Sequence, residues 1–199
     1  MNLNHLVDFV MEKMKRELPD NVIYHSTDHI RDVYESAMRL AVMEGLPENA
    51  MRLLGAAALF HDIGITVKFE DHEINSAAIA GEYLPSFGFN EADVATVQSM
   101  ILATRLPQKA LTLAEKILCD ADLDYLGRRD FFVIAQKLRL EWELSGNCIN
   151  LSDWYILQMN FLKSHQYFTP SARRLRDEVK LKNLKEIETL CTRECGHGK

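Results

Sequence analysis

The sequence has no apolar run approaching the ~18 residues of a membrane span; its best stretch, residues 53–60, is too short. It has few cysteines, four in 199 residues. That is too few for a disulfide scaffold at this length, so a reducing, cytoplasmic setting is expected. Positive charge is also scarce: 23 Lys and Arg face 29 Asp and Glu, a formal net charge of −6. No global field then draws the chain toward nucleic acid or an anionic membrane, and an anionic substrate needs a local positive centre. Period-two alternation, internal repeats, low-complexity segments and linkers are missing as well, which leaves no basis for a sheet or a second domain.

What is present is an apolar spacing of helical period almost throughout. It predicts an all-α, compact single-domain bundle of about 8–9 helices spanning residues 1–199. The opening residues, MNLNHLVDFVMEKMKREL, read as an amphipathic helix over 2–18 with acids on its polar face, not as a signal or transit peptide. Pro19 stops it. A second helix starts at Ser26 or Thr27 and is capped by Gly45; a third, 48–62, is rich in small residues, should be the most buried, and is closed by Gly64. Further helices are expected at 71–84, 90–104, 111–126, 129–145, 151–165 and 171–192.

Three groups of residues carry chemistry. His25 and His29 are four apart in YHSTDH, so both rings fall on one side of a first helical turn. His61 and Asp62 are adjacent at the end of the small-residue helix. Helix neighbours point about 100° apart, so the two share a target only if it lies between them or beside a frayed end. Asp120 and Asp122 stand in ILCDADLDY, inside an otherwise apolar helix, where a buried acid is costly unless paired, hydrogen-bonded or on a metal. Two histidines with two carboxylates form a ligand set for Mn, Fe, Co, Ni or Zn, and less well Mg, with positions open to water and substrate.

The order His29, His61-Asp62 and an Asp about 60 residues on resembles the H…HD…D pattern of the HD-domain metal-dependent phosphohydrolases. The match covers residues 22–130, with 131–199 completing or covering that core or forming a homodimer face. The resemblance implies an HD-type helical fold and one divalent ion held by His29, His61, Asp62 and a late Asp. YHSTDH is similar to the YHN-x-x-H segment of cyclic nucleotide phosphodiesterases, which implies that His25 protonates the leaving group while His29 binds metal. The family's Ala-Asp-Leu context matches Ala121-Asp122-Leu123, which selects Asp122 and keeps Asp120 in reserve; singly, Asp120 and Asp124 read as surface or capping groups. Asp62 is assigned to orient the attacking water as well as to ligate.

Substrate-binding candidates are His72, which faces the pocket or caps its helix, Lys68, near where the HD-GYP subgroup carries a lysine, and Arg128 with its neighbour Arg129. The dinuclear branches add histidines after the doublet; here only His72 falls in that interval, and Thr104 stands where a His would be needed. One metal is therefore expected. The implied activity is hydrolysis of a phosphate ester of a nucleotide or related small molecule through a metal-activated water. The alternatives are a non-catalytic nucleotide-binding regulatory module and, on the same scaffold, a diiron oxygenase. A small phosphorylated partner is expected, and neither nucleic acid nor membrane. Cys191, Cys195 and His197 have a spacing that could grip zinc, but a fourth ligand is lacking and no metal is expected there. His5 and His165 are given no role, and Trp142 and Trp154 are expected to pack the C-terminal helices.

Overall fold

The computed structural model describes residues 3–196; His197, and with it the tail spacing considered for zinc, lies outside the described residues. Among the described residues there are nine α-helices and no strand. They are α1 (Asn4–Glu17), α2 (Thr27–Met43), α3 (Glu48–Phe60), α4 (His72–Tyr83), α5 (Glu91–Ala103), α6 (Leu113–Asp122), α7 (Phe131–Leu144), α8 (Leu151–Ser164) and α9 (Pro170–Gly196). Short 3-10 turns occupy Ile63–Thr66, Leu84–Phe87 and Asp124–Gly127. No helix among the described residues is long and apolar enough to cross a membrane.

Helix α3 is the axis of the bundle, and every residue from Leu53 to Phe60 is buried. Its Gly55 and three alanines let α1, α2, α5 and α6 pack against it; a methyl at Gly55 would already stand 2.9 Å from Leu3 Cδ1. Helix α2 stops where the backbone turns left-handed at Gly45 (φ +69°). There the Leu46 and Gly45 N–H groups donate to Ala41 and Val42 at 2.9 and 3.2 Å, the paired closure of a helix end on glycine.

The predicted sixth helix is shorter than its apolar pattern. Thr112 and Glu115 form a capping box at its start, and it ends at Asp122 rather than near 126 because Leu123 leaves helical geometry (φ −100°, ψ 16°). Its end is held from far along the chain: the Tyr167 hydroxyl donates to the Leu123 carbonyl at 3.2 Å. Asp124, expected at the surface or as a cap, is instead buried and takes both Nε and Nη2 of Arg176 at 2.7 Å. A planar guanidinium fork of this kind fixes orientation as well as charge.

Two apolar cores result. One is built from α1–α6 around Ile30, Leu54, Leu59, Phe60 and Ala121. The other gathers Tyr24, Leu123, Tyr125, Phe131, Trp154 and Ile187, with Trp142 edge-on to Trp154 at 5.6 Å. Tyr24 belongs to the second core and Ile30 to the first, so the segment carrying His25 and His29 bridges the seam.

Candidate metal centre

His29 sits in the first turn of α2, following Ser26 in the N-cap position. His61 follows the last residue of α3, and Asp62 has already left helical geometry (φ −111°, ψ 3°). That break resolves the geometric condition set by the doublet: His61 Nε2 and Asp62 Oδ2 converge to 3.1 Å. The next turn is pressed against α4 so closely that a methyl at Gly64 would lie 2.1 Å from the His72 carbonyl oxygen. Only glycine permits that approach, and the Gly64 N–H donates to Ser76 Oγ at 2.8 Å.

His61 is fully buried and its Nδ1 lies 2.8 Å from the Ala58 carbonyl. A carbonyl only accepts, so Nδ1 carries a proton and Nε2 is the ring atom turned toward the cluster. This Nε2 lies 3.3 Å from His29 Nε2, 3.1 Å from Asp62 Oδ2 and 3.7 Å from Asp122 Oδ1. His29 Nε2 is 3.2 Å from Asp62 Oδ2 and 3.4 Å from Asp122 Oδ1. Ligand atoms of His29, His61 and Asp122 all fit within 4.8 Å of one another, the one such cluster found among the described residues.

The convergence is electrostatically incomplete. Asp62 Oδ2 is buried with no hydrogen-bond donor aligned on it, a state that costs on the order of 1–3 kcal/mol or more for a charged group. Burial opposes charge on the His29 ring, but Asp122 and Asp62 outweigh it and hold that histidine up to about 10. Burial likewise opposes the Asp62 carboxylate, yet His61, His29 and His72 keep it well below the ordinary carboxylate range. Two imidazole nitrogens and two carboxylate oxygens around an orphaned acceptor fit a divalent cation.

A family model, HD domain, matches residues 27–124. Residues 27–124 are an HD domain. The whole chain is similar in fold to a predicted HD superfamily hydrolase from an uncultured Thermotogales bacterium, at 24% identity, TM-score 0.62, and 97% and 99% coverage of the two chains. It is also similar to Bacillus subtilis YpgQ, solved in complex with ADP, at 20% identity, TM-score 0.63, and 92% and 96% coverage. An uncharacterized protein of Clostridium beijerinckii is 27% identical over 108 residues, which are 53% of this chain and 68% of that one.

Within the HD domain, the two late acids separate cleanly. Asp122 borders the cluster, whereas Asp120 is fully buried and accepts from the N–H groups of Phe168 and Thr169 and from Thr169 Oγ1 at 2.7–2.8 Å. Both its oxygens are spent on the entry to α9, which removes it as a reserve ligand. Asp120→Asn is expected to lower thermal stability with bound metal retained, and Asp122→Asn to lose metal with the smaller stability change. Melting curves and metal content of the two variants distinguish these outcomes, and the reverse pairing would exchange the two roles.

His72 opens α4 and faces the cluster: Nε2 lies 3.2 Å from Asp62 Oδ1 and Nδ1 3.0 Å from the Phe69 carbonyl. Both partners accept, so the ring is doubly protonated; burial works against this, but Asp62 and Glu73 prevail and raise it to about 9. The sign of the pH dependence follows. His29 and His72 have folded values above the unfolded 6.5, so the stability they contribute is fully present below about pH 6.5 and lost as pH rises through about 9–10. The melting temperature in chelator should therefore fall across that window, and a flat profile would count against the pairing.

Lys68 is exposed and pairs with Glu70 at 3.4 Å, and it is not among the residues that line the cleft over the cluster. Arg128 is held by Asp32 at 2.8 Å and Asp130 at 2.9 Å and borders a separate recess, and Arg129 is exposed. Neither arrangement presents a free cation to the cluster. The Thr104 hydroxyl donates to the Ile101 carbonyl at 2.7 Å, so the position where a further histidine would stand is occupied by a self-satisfied side chain.

The largest omission of sequence reasoning lies beyond the HD domain. Glu141 of α7 is fully buried, with Oε2 accepting from the N–H groups of Tyr24, Ile23 and His25 at 2.7, 2.9 and 3.1 Å. Its Oε1 pairs with His25 Nδ1. Burial tends to raise the acid, but His25 and these N–H groups lower it below its ordinary value. The available signal was positional: Glu141 lies on the same helical face as Ile134 and Leu138, where an apolar residue is the rule.

Proposed function

We propose that the protein is a metal-dependent phosphohydrolase acting on a phosphate ester of a nucleotide or related small molecule. The observation that carries this reading is the unpartnered Asp62 Oδ2 beside His61 Nε2 at 3.1 Å. His29, His61, Asp62 and Asp122 would hold the ion. A divalent ion bound there supplies a water that ionises near neutral pH and a Lewis-acid contact for a phosphoryl oxygen.

The chain's own residues supply the rest. With Nδ1 committed to Glu141, His25 has its Nε2 edge for the cleft that it lines. As water oxygen bonds to phosphorus and the ester P–O bond breaks, Nε2–H protonates the departing alkoxide. Glu141 keeps the proton on Nδ1 and stabilises the positive ring before transfer. Asp62, gripped by His72 through Oδ1, directs Oδ2 at the cluster. The similarity in fold to a predicted hydrolase and to a protein solved with ADP favours phosphorylated small molecules. Metal analysis of the purified chain followed by a panel of phosphate monoesters, diesters and nucleotides tests it; metal-loaded protein that releases phosphate from none would reject it.

A further inference from the structure

The cleft above the cluster has an unusual charge and polarity balance for a phosphate site. It is about 350 Å³, enough for one ring system. Its floor is formed by His25, Asp62, His72 and Asp122, and its walls by Phe69, Leu106, Leu138, Trp142, Leu157 and Phe161. No Lys or Arg is among its lining residues, which include the carboxylates of Asp62, Glu73 and Asp122. Apart from the histidines on the floor, one divalent ion is the positive charge set against these three carboxylates, and no Lys or Arg extends it along the cleft for a second or third phosphate. The recess on the other side of His29 and Asp122 offers no alternative path. It measures about 60 Å³, and its Arg128 and Lys137 are outnumbered by Asp28, Asp32, Asp122 and Asp124.

One polar group interrupts the apolar wall. Gln158 lines the cleft and is 4% exposed, and its side-chain oxygen has no donor within the fold. That oxygen is too enclosed for an occupant of the cleft to reach, so an occupant meets a wall of apolar side chains. Resting on the phosphohydrolase reading, we propose that this cleft is the leaving-group subsite. It selects monophosphate esters of aromatic or apolar alcohols, and it disfavours polyphosphates.

The test uses the full chain loaded with Mn(II). Its substrates are 1-naphthyl phosphate, glycerol 2-phosphate and tripolyphosphate. Burial of the ring should lower KM for 1-naphthyl phosphate at least about tenfold relative to glycerol 2-phosphate, with tripolyphosphate the poorest substrate. Leu157 is 38% exposed at the rim, and Leu157→Ser should shrink that KM ratio about fivefold. Leu181→Ser on α9, an exposed position away from the cleft, should leave it intact.

Hydrolysis of both esters with no preference for the aryl one, or with tripolyphosphate preferred, overturns the subsite and leaves the phosphohydrolase reading standing. If no ester is hydrolysed, calorimetric titration separates the two ideas. Tighter binding of naphthylmethylphosphonate than of methylphosphonate, weakened by Leu157→Ser, supports the subsite while the hydrolase reading falls. Equal binding of the two phosphonates overturns the subsite as well.

Discussion

Asp62→Asn should leave a folded protein with little bound metal and a kcat/KM at least about a thousandfold lower. The site's Lewis-acid contribution amounts to several kcal/mol, and each 1.36 kcal/mol is a decade in rate. The substitution keeps the shape of the side chain but removes the charge that sets His29 and His72 upward. It also removes the one acceptor that the fold leaves unsatisfied in the cluster. Metal content by elemental analysis and turnover on the best ester are the measurements. A variant with undiminished metal and undiminished activity would remove Asp62 from both of its assigned roles.

The second large effect is expected at Glu141. Glu141→Ala strands three backbone N–H groups and the His25 ring in a buried setting. Losing one side of a buried charged network costs about 3–5 kcal/mol, and at roughly 2–4 °C per kcal/mol for a chain of this size the melting point should drop by on the order of 10 °C. Glu141→Gln separates structure from chemistry. Its amide oxygen can still accept from residues 23–25, but a neutral amide cannot stabilise a positive His25. Bound metal should be unchanged while kcat falls by about a hundredfold, the lower range for a positioned general acid. Equal kcat values for Glu141→Gln and the unaltered chain would mean that the His25–Glu141 pair is purely structural.

Most of the fold could be read from the sequence, because prolines and glycines punctuate a strong helical period. The sixth helix was the exception: its apolar pattern runs through Leu123 and Leu126, but its end is set by Tyr167 and Arg176, more than forty residues away. Tertiary contacts override local pattern at such places. The same helix explains why spacing alone could not choose between Asp120 and Asp122. Two residues apart on a helix, they point to nearly opposite faces, and α6 is covered on both: α2 and α3 lie on one side, and the entry to α9 meets Asp120 on the other. The convergence of His61 and Asp62 was legible only as a condition, since it depends on a backbone break that no residue preference announces. Lys68 and Arg128 were read from chain position, but nearby carboxylates claim both.

Glu141 carries one more consequence. The segment recognisable by family ends at residue 124, and the backbone it clamps, Ile23 to His25, lies before that segment begins. The residues that would hold an ion and the residues that would aim the proposed proton donor thus belong to different stretches of chain. Drift in the packing of α7 would alter proton delivery while leaving every ligand in place. Relatives of this architecture can therefore retain a complete ligand set and differ in turnover through a helix that the family motif does not include.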